Sequence, residues 1–367
     1  RRRVSLELDA FFDYGGFEAY ANDVTGPNIV SALGFVKPLS FINRKNYFLR
    51  SFSIGAHFTA DRTAPLRNNL DFDDADKDGR YESEPLIDQN TFNPSSIDSQ
   101  VVAYGASVEA KLVDTGKVDW KTYVDVTRIE TGLPTDGDYM FWTKEEIGLK
   151  PMMSQGMAWG HLLRLNLGDK TVHALRIRLE LRQYANNFLP SYFDSLYSVQ
   201  KYQYSNPDSA ACPIATKGQY ALANNTKLQC VLGRDADADP VLGAYFEASW
   251  KVGHYWAMAM ALEVNNREDP VTGTGSDNNF FLHLEMPHVG SFQWLATYHR
   301  RSRASVSDLF AFGGDEGLIG NNDMFIIKGR YRLSSTIFFN GEVLTPFFTS
   351  PESVRRNAFE INVNAEF

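Results

Sequence analysis

Apolar and polar residues alternate in segments that recur along the whole chain. In HALRIRLELRQY, residues 173–184, one set of alternate positions is aliphatic and the other is mostly charged. The same period of two returns in residues 102–112, 163–167, 256–265 and 325–333. A period of two places the two sets on opposite faces of a β-strand. Helical spacing is almost absent, so the pattern predicts an all-β protein.

The connections between these segments alternate in length. Short turns are predicted at 114–117, 168–170, 253–254, 289–291 and 333–335. Long polar stretches are predicted at 62–98, 132–148, 187–240, 266–278, 302–321 and 346–354. Short turns at one end of the strands and long loops at the other are typical of outer-membrane barrels.

The strand count depends on the N-terminal region, where the alternation is weakest. Strands over 4–14, 28–42 and 47–61 bring the total to about 14, an even number as bacterial barrels have. The stretch 15–46 is interpreted either as a strand or as a plug inside a barrel.

Composition narrows the class further. The chain has 367 residues and a net charge of -9, with a mean hydropathy of -0.31. Charges interrupt every apolar run before the roughly 18 residues that a membrane-spanning helix needs. A transmembrane barrel averages to polar because its strands alternate, and the acidic balance argues against a nucleic-acid partner. The opening RRRV runs directly into a strand pattern, which we interpret as a mature or trimmed N-terminus.

The last segment, AFEINVNAEF, carries a specific resemblance. Four of its apolar residues share one face: Phe359, Ile361, Val363 and Phe367. This strand resembles the C-terminal assembly signal of Gram-negative outer-membrane proteins. With aromatic residues near the predicted strand ends, the whole chain resembles the porin-like barrel class.

That resemblance implies a single domain over 1–367, a transmembrane antiparallel up-and-down β-barrel with short periplasmic turns and long extracellular loops. It also implies the bacterial outer membrane with both termini periplasmic, and contacts with the barrel-assembly machinery, outer-membrane lipid and lipopolysaccharide. A homo-oligomer or an outer-membrane partner protein would be compatible with it.

Charged residues fill the face that would line such a barrel. The predicted pore-lining set is Arg164, Arg176, Arg178, Glu180, Arg182, Glu263, Glu285, Arg301, Lys328, Arg330, Arg332 and Glu342. A lumen of about 14 strands is too wide to be filled by strand side chains, so we expect a channel for passive diffusion of small polar solutes with an anion preference.

Three alternatives to this channel remain open. The charges pair across strands as a structural network, the loops of a non-conducting barrel bind partner proteins or glycans, or a plugged barrel transports hydrophobic solutes. The histidines lie in no nucleophile motif, so we do not expect an enzyme.

The loop 74–84 resembles a calcium-binding loop. Asp74, Asp76 and Asp78 precede a glycine, and alternate carboxylates can converge on one hard cation. Arg80 would contribute its backbone carbonyl, and Glu82 would bind directly or through water. The twelfth position is proline instead of glutamate, so a solvated acidic loop is the alternative.

Two cysteines, Cys212 and Cys230, lie in the same polar stretch. A disulfide between them fits an oxidising compartment and would stabilise the fold by about 3 kcal/mol. Two free thiols are the alternative.

Overall fold

A computed structural model of the protein describes residues 5–22, 28–43, 45–68, 70–71, 84–85, 96–132, 153–168, 173–190, 192–193, 226–232, 238–253, 256–267, 278–286, 290–303, 305–311, 323–333, 337–345 and 358–365. Side chains are not described for 66–98, 132, 229–230, 232, 301–303, 337–345 and 358–365.

Most of the described chain is β-strand, as the alternation predicts. The strands are β1 (Leu6–Phe12), β2 (Gly15–Ala21), β3 (Ile29–Val36), β4 (Ser53–Asn68), β5 (Leu70–Asp71), β6 (Glu84–Pro85), β7 (Ser96–Asp114), β8 (Val118–Gly132), β9 (Met153–Asn166), β10 (His173–Tyr184), β11 (Val241–Val252), β12 (Trp256–Asn265), β13 (Asn278–Glu285), β14 (Phe292–Arg303), β15 (Asp323–Arg332), β16 (Ile337–Thr345) and β17 (Ala358–Ala365).

Fifteen of these strands form one up-and-down sheet, and its order follows the chain from β1 to β17. The exceptions are β5 and β6, which pair only with each other. Neighbours are antiparallel, as in the pairs β3–β4, β11–β12 and β16–β17. The all-β, up-and-down prediction is therefore confirmed, and the predicted count of about 14 strands is roughly consistent.

The connections alternate in length from β4 onwards. The short connections span residues 115–117, 167–172, 253–255, 286–291 and 333–336. The long connections span residues 69–95, 133–152, 185–240, 266–277, 304–322 and 346–357. Gly253 has φ 53° in one of the short turns, a conformation that glycine adopts without steric cost. Since successive strands reverse direction, the short connections lie at one end of the strands and the long connections lie at the other.

The N-terminal region differs from the sequence pattern in one respect. Between the strands predicted over 4–14 and 47–61 the sequence predicts one strand, over 28–42, whereas the chain forms two, β2 and β3, which pair with each other in register Phe17↔Gly34. The apolar positions of β2 are weak, because alanine and glycine alternate there with Glu18 and Tyr20. Pairing with neighbouring strands, and not local hydrophobicity, makes this segment a strand.

Within the described residues, three short helices accompany the strands: α1 (Tyr47–Ser51), α2 (Lys227–Leu232) and α3 (Val306–Leu309). The side chain of Asn46 caps α1 by accepting from the backbone N–H groups of Phe48 and Leu49, as asparagine commonly does at this position. Among the described residues, no helix is long and apolar enough to cross a membrane.

The chain divides into two compact units. Unit 1 comprises Arg1–Ala110, Tyr123–Ala158 and Gln183–Val241. Unit 2 comprises Lys111–Thr122, Trp159–Arg182 and Leu242–Phe367.

Unit 1 exposes large apolar side chains on one face of its strands. Ile54 and Phe58 on β4, and Tyr104 and Val108 on β7, are all exposed. The opposite face of the same strands carries His57, and we call it the polar face of unit 1. A buried cluster lies on this face, built from Ala64, Val101, Ala103, Ile129 and Tyr184 of the strands with Phe188, Leu189, Tyr192, Leu228 and Val231 of the connection between β10 and β11.

Candidate functional site

Strand β10 shows how the two faces of unit 2 differ. Leu179 and Leu181 are 52% and 61% exposed, whereas Glu180 between them is 4% exposed. We call the face with Arg176, Arg178, Glu180 and Arg182 the polar face of unit 2, and the other its apolar face. A sheet whose apolar side chains face outward and whose carboxylate is buried is inverted relative to the usual water-soluble arrangement.

The apolar face continues across the neighbouring strands of unit 2. Its exposed members include Trp250, Met258, Met260, Leu282, Leu284 and Trp294. The register carries the same face onto β17, where Phe359, Ile361 and Val363 lie opposite Val343, Gly341 and Phe339. The side chains of these three residues, and the whole of Phe367, lie outside the described residues. Their role as an assembly signal therefore stays a prediction.

Glu180 is the centre of a network on the polar face. Arg178 donates from Nε to Oε1 of Glu180 at 2.7 Å, and Arg182 donates from Nε to Oε2 at 2.8 Å. Arg182 also donates from Nη1 to Oε1 of Glu263 on β12 at 2.6 Å. These side chains lie on one face because residues two apart on a strand share a face, and β11, between β10 and β12, places Tyr245 opposite Glu263. The result is an alternating row of opposite charges.

Tyr245 on β11 completes this network. Its ring centroid lies 4.3 Å from the Arg182 guanidinium and 5.4 Å from that of Arg178, distances at which a cation is attracted to an aromatic face. Its hydroxyl donates to Glu247 Oε2 at 2.9 Å, and Glu247 Oε1 lies 3.6 Å from Arg176 Nη1. Tyr245 is absent from the predicted set because Phe246 beside it makes the alternation ambiguous there.

The burial of its side chains decides how much this network contributes to stability. The side chains of Glu180, Arg182 and Glu263 are 2%, 12% and 17% exposed. At such sites the pairing mainly offsets the cost of taking charge out of water, and removal of one partner leaves the other uncompensated. The network is therefore a set of paired charges with a largely buried centre, and its more exposed members are Arg176 and Arg178.

The other predicted pore-lining residues lie elsewhere on the polar face. Arg164 is exposed on β9. Glu285 on β13 accepts a short hydrogen bond from Gln293 on β14. The structure thus joins Arg178, Glu180, Arg182 and Glu263, and gives Glu285 a different partner.

Strand β15 supplies the remaining charges. Lys328, Arg330 and Arg332 alternate along it, and Lys328 lies opposite Glu342 on β16. The side chains of Glu342 and Arg301 lie outside the described residues, so their place in the predicted pore stays untested.

Part of the longest predicted loop, 187–240, lies against the polar face of unit 1. We call the segments 185–190, 192–193 and 226–232 the strap. Phe188 packs on β9 at Gly156, where a Cβ atom would come within 2.7 Å of the ring. The Lys227 side chain is fully buried, with Nζ 5.4 Å from the Tyr192 ring centroid. Because Gly156 has no side chain, the Phe188 ring of the strap can pack directly on β9.

A polar cluster of His57, Asp125 and Thr127 lies on the same face of unit 1. His57 Nε2 lies 3.1 Å from Thr127 Oγ1, while that hydroxyl donates to Asp125 Oδ1 at 2.8 Å. His57 Nδ1 is 3.9 Å from Asp125 Oδ2. The Thr127 hydroxyl thus lies within hydrogen-bond distance of both the carboxylate and the imidazole.

The apolar face of unit 2 contains a recess of about 490 Å³, lined by side chains that include Leu167, His173, Trp250, Met258 and Met260. Trp250 packs edge-on against Trp256 with ring centroids 4.7 Å apart. The recess is separated from the arginine–glutamate network by the sheet itself.

The predicted calcium and disulfide sites fall outside the described residues. Asp74, Asp76, Asp78, Arg80 and Glu82 all lie there. So does Cys212, and the side chain of Cys230 in α2 is not described. Over the part of the chain that the structure describes, no group of three or more His, Cys, Asp or Glu side chains is placed to hold a metal ion. Both sites stay predictions.

No protein-family model matches the sequence, and the curated protein sequences give no match.

Proposed function

We propose that the protein is a bacterial outer-membrane β-barrel that passes small polar solutes by diffusion, with a preference for anions. The inverted distribution of side chains on β10 carries this proposal: exposed leucines flank a nearly buried glutamate. An outward apolar band suits acyl chains of lipid and lipopolysaccharide, and an inward polar face suits water. The alternation of short and long connections supports the same reading.

Selection in this channel rests on the polar face. The paired core of Glu180, Arg182 and Glu263 holds its shape, while Arg176 and Arg178 present cationic groups to a passing anion. Transport is passive, and the site needs neither a cofactor nor a nucleophile.

The strap favours a second candidate function, a plugged barrel that transports larger or hydrophobic solutes. Phe188, Leu189 and Leu228 hold the strap against the polar face of unit 1. In an open channel the strap narrows the passage, whereas in a plugged barrel it must move before a solute can pass.

Closure of the sheet into a barrel is part of this proposal. In an up-and-down sheet of fifteen strands, β1 and β17 run in the same direction.

Planar-bilayer recording tests the channel itself. We expect stable open steps with anion preference, and we expect the preference to fall when Arg176, Arg178 and Arg330 are each replaced by glutamine. A protein that inserts and shows the heat-modifiable migration of a barrel, yet never conducts, would exclude the open channel and leave the plugged barrel.

A further inference from the structure

Two arginines face each other across β9 and β10 on the polar face of unit 2. The Leu167 N–H donates to the His173 carbonyl at 2.7 Å, which fixes the antiparallel register of these strands. Counting from 167 back to 164, and from 173 on to 176, places Arg164 opposite Arg176. Directly opposed residues have Cβ atoms about 4.5–5.5 Å apart, so the two arginine side chains leave the same face of the sheet side by side.

Carboxylates flank this pair without lying between its members. The Asn166 N–H donates to the Lys117 carbonyl at 2.8 Å, and the same count places Asp119 on the far side of Arg164. Asp119 is already 3.0 Å from Lys111 Nζ. Beyond Arg176, Glu247 lies 3.6 Å from Nη1 and also accepts from the Tyr245 hydroxyl. The order across the face is therefore acid, arginine, arginine, acid.

Like charges directly opposite each other in a sheet are destabilising. Arg176 is partly neutralised on one side by Glu247, and within the described ranges Arg164 makes no ion pair. Both side chains are accessible: Arg164 is exposed, and the Arg176 side chain is 42% exposed. An anion between them would remove the repulsion.

We propose that Arg164 and Arg176 bind one small oxyanion, of the phosphate or carboxylate type, between their guanidinium groups. This inference rests on the proposed function and names the solute class that the polar face receives. Guanidinium groups match two oxygens of one anion through paired N–H donors, which a lysine cannot do. The flanking carboxylates weaken the site, and a weak site is what a permeating solute requires in order to leave.

Binding of inorganic phosphate to the refolded full chain in detergent micelles, followed by ³¹P line broadening, tests the site without conduction. Arg164→Gln and Arg176→Gln should each raise the half-saturating phosphate concentration about tenfold or more, because each removes charged hydrogen bonds. Arg164→Lys should raise the half-saturating phosphate concentration nearly as much, because lysine keeps the charge but lacks the paired N–H donors of a guanidinium group. Lys251→Gln is the matched control, an equal change of charge on β11 that should leave binding within about twofold.

Equal losses in Lys251→Gln and Arg164→Gln, or retained binding in Arg164→Lys, would overturn the proposal in favour of general electrostatic attraction. Absence of phosphate binding to the wild-type chain would overturn it outright. Acetate that displaces phosphate identifies carboxylates as ligands of the same site, whereas acetate that fails to displace it restricts the site to phosphate-type anions. Phosphate binding by a chain that never conducts would support this site and contradict the channel. Conduction by a chain that does not bind phosphate would support the channel and contradict this site.

Discussion

Replacing Glu180 by glutamine is expected to lower the free energy of unfolding by about 3 kcal/mol. The carboxylate of Glu180 serves both Arg178 and Arg182, and its side chain is 2% exposed. Glutamine fills the same space but removes the charge, so the guanidinium of Arg182 keeps the Glu263 carboxylate and the Tyr245 ring as partners. We place the loss at the lower end of the range for a broken buried pair for that reason. Urea unfolding of protein refolded into lipid vesicles measures it.

Glu130→Gln is the matched control for this change. The Glu130 side chain, near the end of β8, is 40% exposed; it pairs with Arg128 Nε at 2.9 Å and accepts from the Tyr104 hydroxyl at 2.7 Å. An exposed pair of this kind contributes less than about 1 kcal/mol. Equal losses in the two variants would show that burial does not set the value of the Glu180 network, and our account of it would then fail.

Replacing Phe188 by alanine is expected to release the strap. The ring is 7% exposed and is seated on Gly156, and loss of a buried phenylalanine ring costs about 3–5 kcal/mol. Release exposes Lys227, whose side chain is fully buried in the wild type. We therefore expect rapid tryptic cleavage after Lys227 in the variant, and a larger single-channel conductance where the wild type conducts.

Phe280→Ala serves as the control for the strap. Phe280 packs edge-on against Phe310 on the apolar side of unit 2, with ring centroids 5.4 Å apart. This variant should leave both the cleavage at Lys227 and the conductance unchanged. If Phe188→Ala leaves Lys227 protected, Phe188 does not hold the strap. If it exposes Lys227 without a change in conductance, the strap does not narrow the passage.

The alternation of residues was sufficient to predict the two faces of most strands. Leu179 and Leu181 are exposed, Glu180 is buried, and the residues between β7 and β8 form a short connection, as the pattern indicates. These features depend on neighbours within one strand, where a period of two has one geometric meaning. The pattern was insufficient at β2, whose alanines and glycines carry little contrast.

Partners across strands were not predictable in the same way. Arg182 bonds to Glu263, 81 residues away in sequence, and both lie beside a tyrosine whose position the pattern leaves ambiguous. Such contacts depend on register, and a shift of one strand by two residues would preserve every apolar position while changing every charged partner.

The sequence by itself therefore determined the class of secondary structure, the two-sided character of the strands and the alternation of connection lengths, because each follows from local spacing. Only the tertiary structure decided that Glu180 is the centre of the charged network, that Arg164 lies opposite Arg176, and that Phe188 seats the strap on Gly156. Those arrangements arise when distant segments pack, and local spacing carries no information about which distant segment will meet which.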